Sequence, residues 1–153
     1  MKQVSVEERM AADPAAVYDL VSDVTRMGEW SPETTSCRWV GGTRSASVGA
    51  RFRGSNRYGW HRWSTTCKVT AADPARRFAF EVNLLGVPIS SWEYEISSDG
   101  DGCLVTERWT DRRPTWLDKV SPLATGVTDR TEHNRATMNE TLARLRKAAE
   151  APA

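Results

Sequence analysis

The chain offers few of the residues from which metal and nucleophilic sites are built. It has 3 cysteines and 2 histidines in 153 residues. Cys37, Cys67 and Cys103 are an odd number with wide spacing; they form no CxxC pair and no zinc-type cluster with histidine. His61 and His133 alone cannot supply an imidazole site. No metal and no cofactor is expected, and the cysteines read as reduced, mostly buried thiols. Charge of one sign is also missing. The 21 basic and 20 acidic residues leave a net charge of +1, which argues against a nucleic-acid partner. Arg76-Arg77 and Arg112-Arg113 are basic spots among interspersed acids. No apolar run approaches a membrane span, so no integral membrane segment is expected. Met1-Lys2-Gln3-Val4-Ser5-Val6 lacks the apolar core of a signal peptide, and a cytoplasmic chain is the expectation. There is no GxSxG elbow, no P-loop and no dinucleotide-binding glycine pattern after a strand. Asn139-Glu140-Thr141 matches a glycosylation sequon but falls inside a helical pattern, and reads as chance.

What is present is a run of alternating segments closed by one long helical pattern. The length suits a single domain over 1–153, with a loose tail at about 150–153. Residues 2–10 place Val4, Val6 and Met10 on one side, which predicts a strand with one buried face. Asp13-Pro14 supplies a cap and a first-turn proline for a helix over about 14–22. Asp23 caps a second short helix ending near Gly28, and Pro32 stops it. Strands are expected over 35–41, 49–58, 60–71, 76–83, 89–97 and 103–111. Asp73-Pro74, a break at Gly86-Val87-Pro88 and the hairpin loop Ser98 to Gly102 punctuate them. Residues 112–126 carry Pro114, Pro122 and Gly126 and read as a connection or broken helix. From about Thr128, a helical stripe recurs through Thr131, Asn134, Met138, Leu142, Leu145 and Ala149.

The expected fold class is α+β, with about seven antiparallel strands in the order β-α-α-β6-α. A sheet of that size curls, and one long helix is available to close its concave face. Such an arrangement tends to leave an internal cavity. The same order resembles the START-like, helix-grip (SRPBCC) superfamily, including its polyketide cyclase/dehydrase and lipid-transport branch. Ala12-Asp13-Pro14-Ala15-Ala16-Val17-Tyr18-Asp19-Leu20-Val21-Ser22-Asp23 looks like that family's first helix, and Met27-Gly28-Glu29-Trp30-Ser31-Pro32 like its second. Val48-Gly49-Ala50-Arg51-Phe52-Arg53-Gly54, Asp73-Pro74-Ala75-Arg76-Arg77-Phe78-Ala79-Phe80 and Thr106-Glu107-Arg108-Trp109 fit its strands. The resemblance implies a pocket under the long helix for a hydrophobic or amphipathic ligand. It implies no particular reaction, because members include carriers, sensors and cyclases.

Seven tryptophans are many for this length. Trp63, Trp92 and Trp109 share faces with other apolar residues, where they can wall a cavity or simply fill a core. Trp30 falls where the resemblance places the pocket entrance, and Trp60 and Trp116 fall near loops. Glu107 is the sharpest polar signal. It shares inward parity with Val105 and Trp109, and a buried carboxyl is costly unless partnered. Desolvation would raise its pKa, as suits a general acid or base. A structural partner, or a bulge that turns it outward, is the competing reading. Candidate ligand contacts are Trp30, Phe52, Asn56, Trp63, Thr65, Phe80, Trp92, Tyr94, Glu107, Trp109, Asn134 and Met138. His133 is read as a rim histidine and Arg130 as a solvated arginine.

Three readings follow. The first is a binding module for a lipid-like or polyketide-like molecule, monomeric or a homodimer, with no partner but that ligand. The second is a cyclase or dehydratase using Glu107 as acid/base without metal or cofactor. The third is an interaction protein with a merely structural cavity.

Overall fold

Seven extended segments, most of them with period-two burial, build a single antiparallel sheet in the computed structural model, which describes residues 2–152. The strands are β1 (Gln3–Met10), β2 (Thr34–Val40), β3 (Arg51–Tyr58), β4 (His61–Asp73), β5 (Arg77–Leu84), β6 (Val87–Asp99) and β7 (Gly102–Asp111). Their spatial order is β1-β7-β6-β5-β4-β3-β2, so β2 to β7 form a meander and β1 pairs with β7. Three register shifts interrupt the ladders, between Thr34 and Ser36, Val69 and Ala71, and Val82 and Asn83. Each adds local twist, and together they curl the sheet.

Three α-helices and a 3₁₀ turn complete the described residues. Helix α1 (Pro14–Ser22) starts as the sequence predicts, with the Asp13 side chain accepting from the Ala15 amide at 3.1 Å. The 3₁₀ turn Val24–Glu29 is capped in the same way by Asp23. Helix α3 (Arg130–Glu150) lies on the sheet and buries Asn134, Met138, Thr141, Leu142 and Leu145. It packs closely on β1, and Met138, Leu142 and Leu145 join Val4, Val6, Phe78 and Val105 in one core. Burying a leucine-sized side chain stabilises by roughly 1.5–3 kcal/mol, so this C-terminal half anchors the helix.

Two expectations are corrected. Residues 112–126 contain a continuous helix, α2 (Thr115–Thr125), rather than a connection or a broken helix. Pro114 stands at its N-cap, where a missing amide is harmless. Pro122 lies inside its final turns, and the helix ends at Gly126 with φ 76°, whose amide bonds the Pro122 carbonyl at 2.8 Å. Likewise the break at residues 86–88 is shorter than expected. Strand β6 already begins at Val87, and Pro88 sits opposite Asn83 at a register shift, a place where a strand tolerates proline.

Candidate functional site

Between the concave face of the sheet and the N-terminal half of α3 lies a cavity of about 190 Å³. The inward parity of each strand decides what lines it. Strand β3 presents Phe52 and Asn56, β4 Trp63 and Thr65, β5 Phe80, β6 Trp92 and Tyr94, and β7 Glu107 and Trp109, while α3 presents Asn134 and Met138. The exception among the predicted contacts is Trp30. It is only 3% exposed, ends the 3₁₀ turn and belongs to the core under the Arg26 guanidinium, so it does not reach the cavity wall. Thr131, expected on the sheet-facing stripe, is absent from the wall as well, whereas Thr137 and Thr141 are on it. Trp60 and Trp116 are exposed, as expected of loop-proximal residues.

The wall includes residues that the sequence did not single out. Cys37 and Cys67 are buried there, and burial pushes the Cys37 thiol up to about 11, so it is protonated and unreactive near neutral pH. Helix α2 covers one side through Leu117, Val120, Ser121, Ala124 and Thr125. Its position is held by Arg113, which bonds Asp111 through Nε and Nη2 at 2.9 and 2.8 Å and reaches Asp118 at 2.9 Å. Burial pushes the Asp111 carboxyl up, but bonding from Arg113 outweighs it and holds the group below its usual range.

Glu107 lies deep in the wall at 2% exposed. It stands directly across from Tyr94 in the β6–β7 ladder. Desolvation pushes its pKa up to about 8, offset in part by hydrogen bonding to Tyr94. Tyr94 is raised well above its ordinary value by burial and by the neighbouring Glu107. Glu107 Oε1 is buried without a hydrogen-bond partner among the described residues. A buried polar atom of that kind calls for a water or a ligand group. Near neutral pH this carboxyl is mainly protonated and can donate as well as accept. Asn56 is already engaged, its amide donating to Thr65 Oγ1 at 3.2 Å.

A second polar cluster sits at the start of α3. Glu33 accepts from Arg130 Nη1 at 2.6 Å and contacts His133 Nε2 at 2.9 Å. Burial raises the Glu33 pKa, but bonding to His133 and the charge of Arg130 outweigh that and leave it below its usual value. Tyr58 packs edge-on against His133, with centroids 4.8 Å apart. Arg130 is not the solvated arginine expected from the sequence: its side chain is 12% exposed and lines the cavity. His133 is half-buried and lies off the wall, in keeping with a rim position.

A curled sheet gripping one long helix around a mixed apolar and polar cavity defines a helix-grip fold. The chain belongs to the family described as Polyketide cyclase / dehydrase and lipid transport, which matches residues 1–150. No curated protein matches the sequence. Among solved structures, a protein of Chromobacterium violaceum is similar, with a TM-score of 0.75 and 12% identity, covering 99% of this chain and all (100%) of its own. A polyketide-cyclase-like protein of Corynebacterium glutamicum shares 29% identity at a TM-score of 0.62, covering 97% of this chain and 91% of its own. The di-domain ARO/CYC BexL from the BE-7585A biosynthetic pathway shares 18% identity at a TM-score of 0.74. The match covers 99% of this chain but 51% of BexL.

Proposed function

We propose that this chain binds a compact hydrophobic or aromatic small molecule in the cavity, with Glu107 and Tyr94 as its inner polar anchor. The observation that carries this reading is the buried, unpartnered Oε1 of Glu107 in a wall that also carries Phe52, Trp63, Phe80, Trp92 and Trp109. Binding pockets combine apolar walls with a few polar groups that fix orientation. A cavity of about 190 Å³ has room for about six water molecules at roughly 30 Å³ each, which favours a ligand of bicyclic size over a long acyl chain. The family's description, which spans cyclases and lipid transport, supports a ligand of this general kind. The three buried thiols suit a reducing, cytoplasmic setting. The probe is 2-naphthamide, followed by quenching of the fluorescence of Trp63, Trp92 and Trp109. Saturable quenching is expected, and Thr137→Trp, which places an indole in the cavity, should weaken it at least about tenfold. Absence of saturable quenching by 2-naphthamide and by 2-naphthoate alike, or an unaffected Thr137→Trp variant, would sink the reading.

A second reading is favoured by the protonation of Glu107. A carboxyl with a pKa of about 8 is poised to exchange protons with a bound carbonyl compound near neutral pH. In the step we infer, the ionised carboxylate takes a proton from the carbon beside a carbonyl. The C–H bond breaks, its electron pair forms the enolate, and the proton rests on Glu107. This is the chemistry a cyclase or dehydratase would begin with. Deuterium exchange at the carbon beside the carbonyl of 2-tetralone, followed by NMR, tests it. Exchange should be accelerated by the protein, rise with pH through about 8 and be lost in Glu107→Gln. Equal rates in Glu107→Gln and the parent would exclude Glu107 as the base.

A further inference from the structure

The charged cluster at the start of α3 is built in a way that an internal ion pair does not require. Arg130 meets the protein through one nitrogen. Nη1 donates to both Glu33 oxygens, at 2.6 and 3.0 Å, and approaches Asn134 Oδ1 at 3.4 Å. Nε and Nη2 make no hydrogen bond to any described residue. A guanidinium and a carboxylate that pair only for stability tend to meet fork to fork, two nitrogens on two oxygens. Here both Glu33 oxygens converge on Nη1, and His133 Nε2 contacts the same Oε1 at 2.9 Å. The Nε–Nη2 edge, whose two N–H groups run parallel, is left over. It belongs to a side chain only 12% exposed that lines the cavity, with its guanidinium carbon 5.9 Å from the centre of the Trp63 ring. Among the described residues only Glu107 Oε1 is fully buried without a partner, so the Nε–Nη2 edge is reachable, and water or a ligand oxygen can complete it.

We propose that Arg130 recognises a carboxylate on the ligand, through its Nε–Nη2 edge, so that the molecule bound in the cavity is an aromatic or alicyclic carboxylic acid. This rests on the reading that the cavity binds a small molecule, and it adds the chemical class. The cavity wall on α3 runs from Arg130 to Thr141, about 16 Å along the helix. A molecule of bicyclic size then presents its carboxylate to Arg130 while its ring system lies among Trp63, Phe80 and Trp92. Glu33 and His133 are positioning residues. They fix the guanidinium plane and occupy Nη1, which leaves one edge for the ligand.

The experiment compares 2-naphthoate with its neutral isostere 2-naphthamide near neutral pH, by tryptophan fluorescence on the full chain. The parent should bind naphthoate about tenfold or more tighter, the strength of a charge-assisted bidentate contact. Arg130→Met should bring the ratio of the two affinities to about unity. Arg130→Lys keeps the charge without the fork and should give an intermediate ratio. Glu33→Gln removes the competing negative charge and should widen the preference for naphthoate. Where Arg130→Met does not fold, Arg130→Lys and Glu33→Gln still shift the ratio in opposite directions. Equal affinities in the parent, or a ratio unmoved by the Arg130 variants, overturn the carboxylate inference and leave the cavity reading standing. Binding of neither probe overturns both.

Discussion

Glu107 is held where its neutral form is favoured, and this has a consequence for stability. Its folded pKa of about 8 lies above the ordinary value of 4.5. Between those values the native state keeps a proton that the unfolded chain has released. Stability therefore falls as pH rises through this window, and it levels off above about 8, where both states are ionised. From about pH 5 to about pH 8 this one group accounts for roughly 4 kcal/mol of lost stability. Glu107→Gln mimics the protonated acid in shape and hydrogen bonding. In urea unfolding at both pH values, the variant should lack that loss and be the more stable protein at the alkaline end. Parallel pH dependence in parent and variant would mean that Glu107 is not held as a buried acid. The sequence exposed this residue because Val105, Glu107 and Trp109 alternate inward on one strand, and parity is a local property. Arg130 was misread because its burial depends on Glu33, a partner 97 positions away, and no local pattern reports such a contact. Trp30 was misplaced for the converse reason. The exit of the 3₁₀ turn was correctly located, but the direction in which its indole packs follows from the core beneath it.

Elements were legible where one periodicity ran long enough. The seven strands run over 7 to 13 residues each, and their turns carry Gly, Asp or Pro, so each strand's existence could be read from the chain, and the inward face wherever alternation is clear, as in β1 and β7. The register shifts could not, because a bulge changes pairing without changing composition. Residues 112–126 failed for another reason. Pro114 and Pro122 are helix breakers in isolation, yet one stands at the cap and the other near the end of α2. The compensation is tertiary. Leu117, Val120 and Ala124 recur at helical spacing and turn toward the cavity, and Arg113 fixes the first turn through Asp118. On α3 the stripe was right through Asn134, Met138, Leu142 and Leu145. Its cavity-facing flank was not, because Thr137 and Thr141 lie beside the apolar stripe and look like ordinary helix-surface residues. Thr141 back-bonds to the Thr137 carbonyl at 2.8 Å, which satisfies its hydroxyl beside the cavity.

At the scale of the molecule, the cavity lies between two bodies that share one core. The sheet contributes Val4, Phe78 and Val105 to that core, α1 contributes Val17 and Val21, and α3 contributes Met138, Leu142 and Leu145. A ligand in the cavity touches both sides, since Phe80 and Trp92 come from the sheet and Asn134 and Met138 from α3. Its binding energy thus opposes separation of helix from sheet, which is the same event as loss of the core. We therefore expect the chain to unfold as a single cooperative unit and the ligand to shift that whole transition. At a free 2-naphthamide concentration of 100 times its dissociation constant, linkage raises the unfolding free energy by about 2.7 kcal/mol. For a chain of this size that corresponds to a rise in midpoint of roughly 5–10 °C. Calorimetry should show one peak moving by that amount with its shape preserved. A ligand that shifted only a minor early transition would indicate contact with α2 alone. It would place the probe on the outer helix, away from the space between sheet and α3.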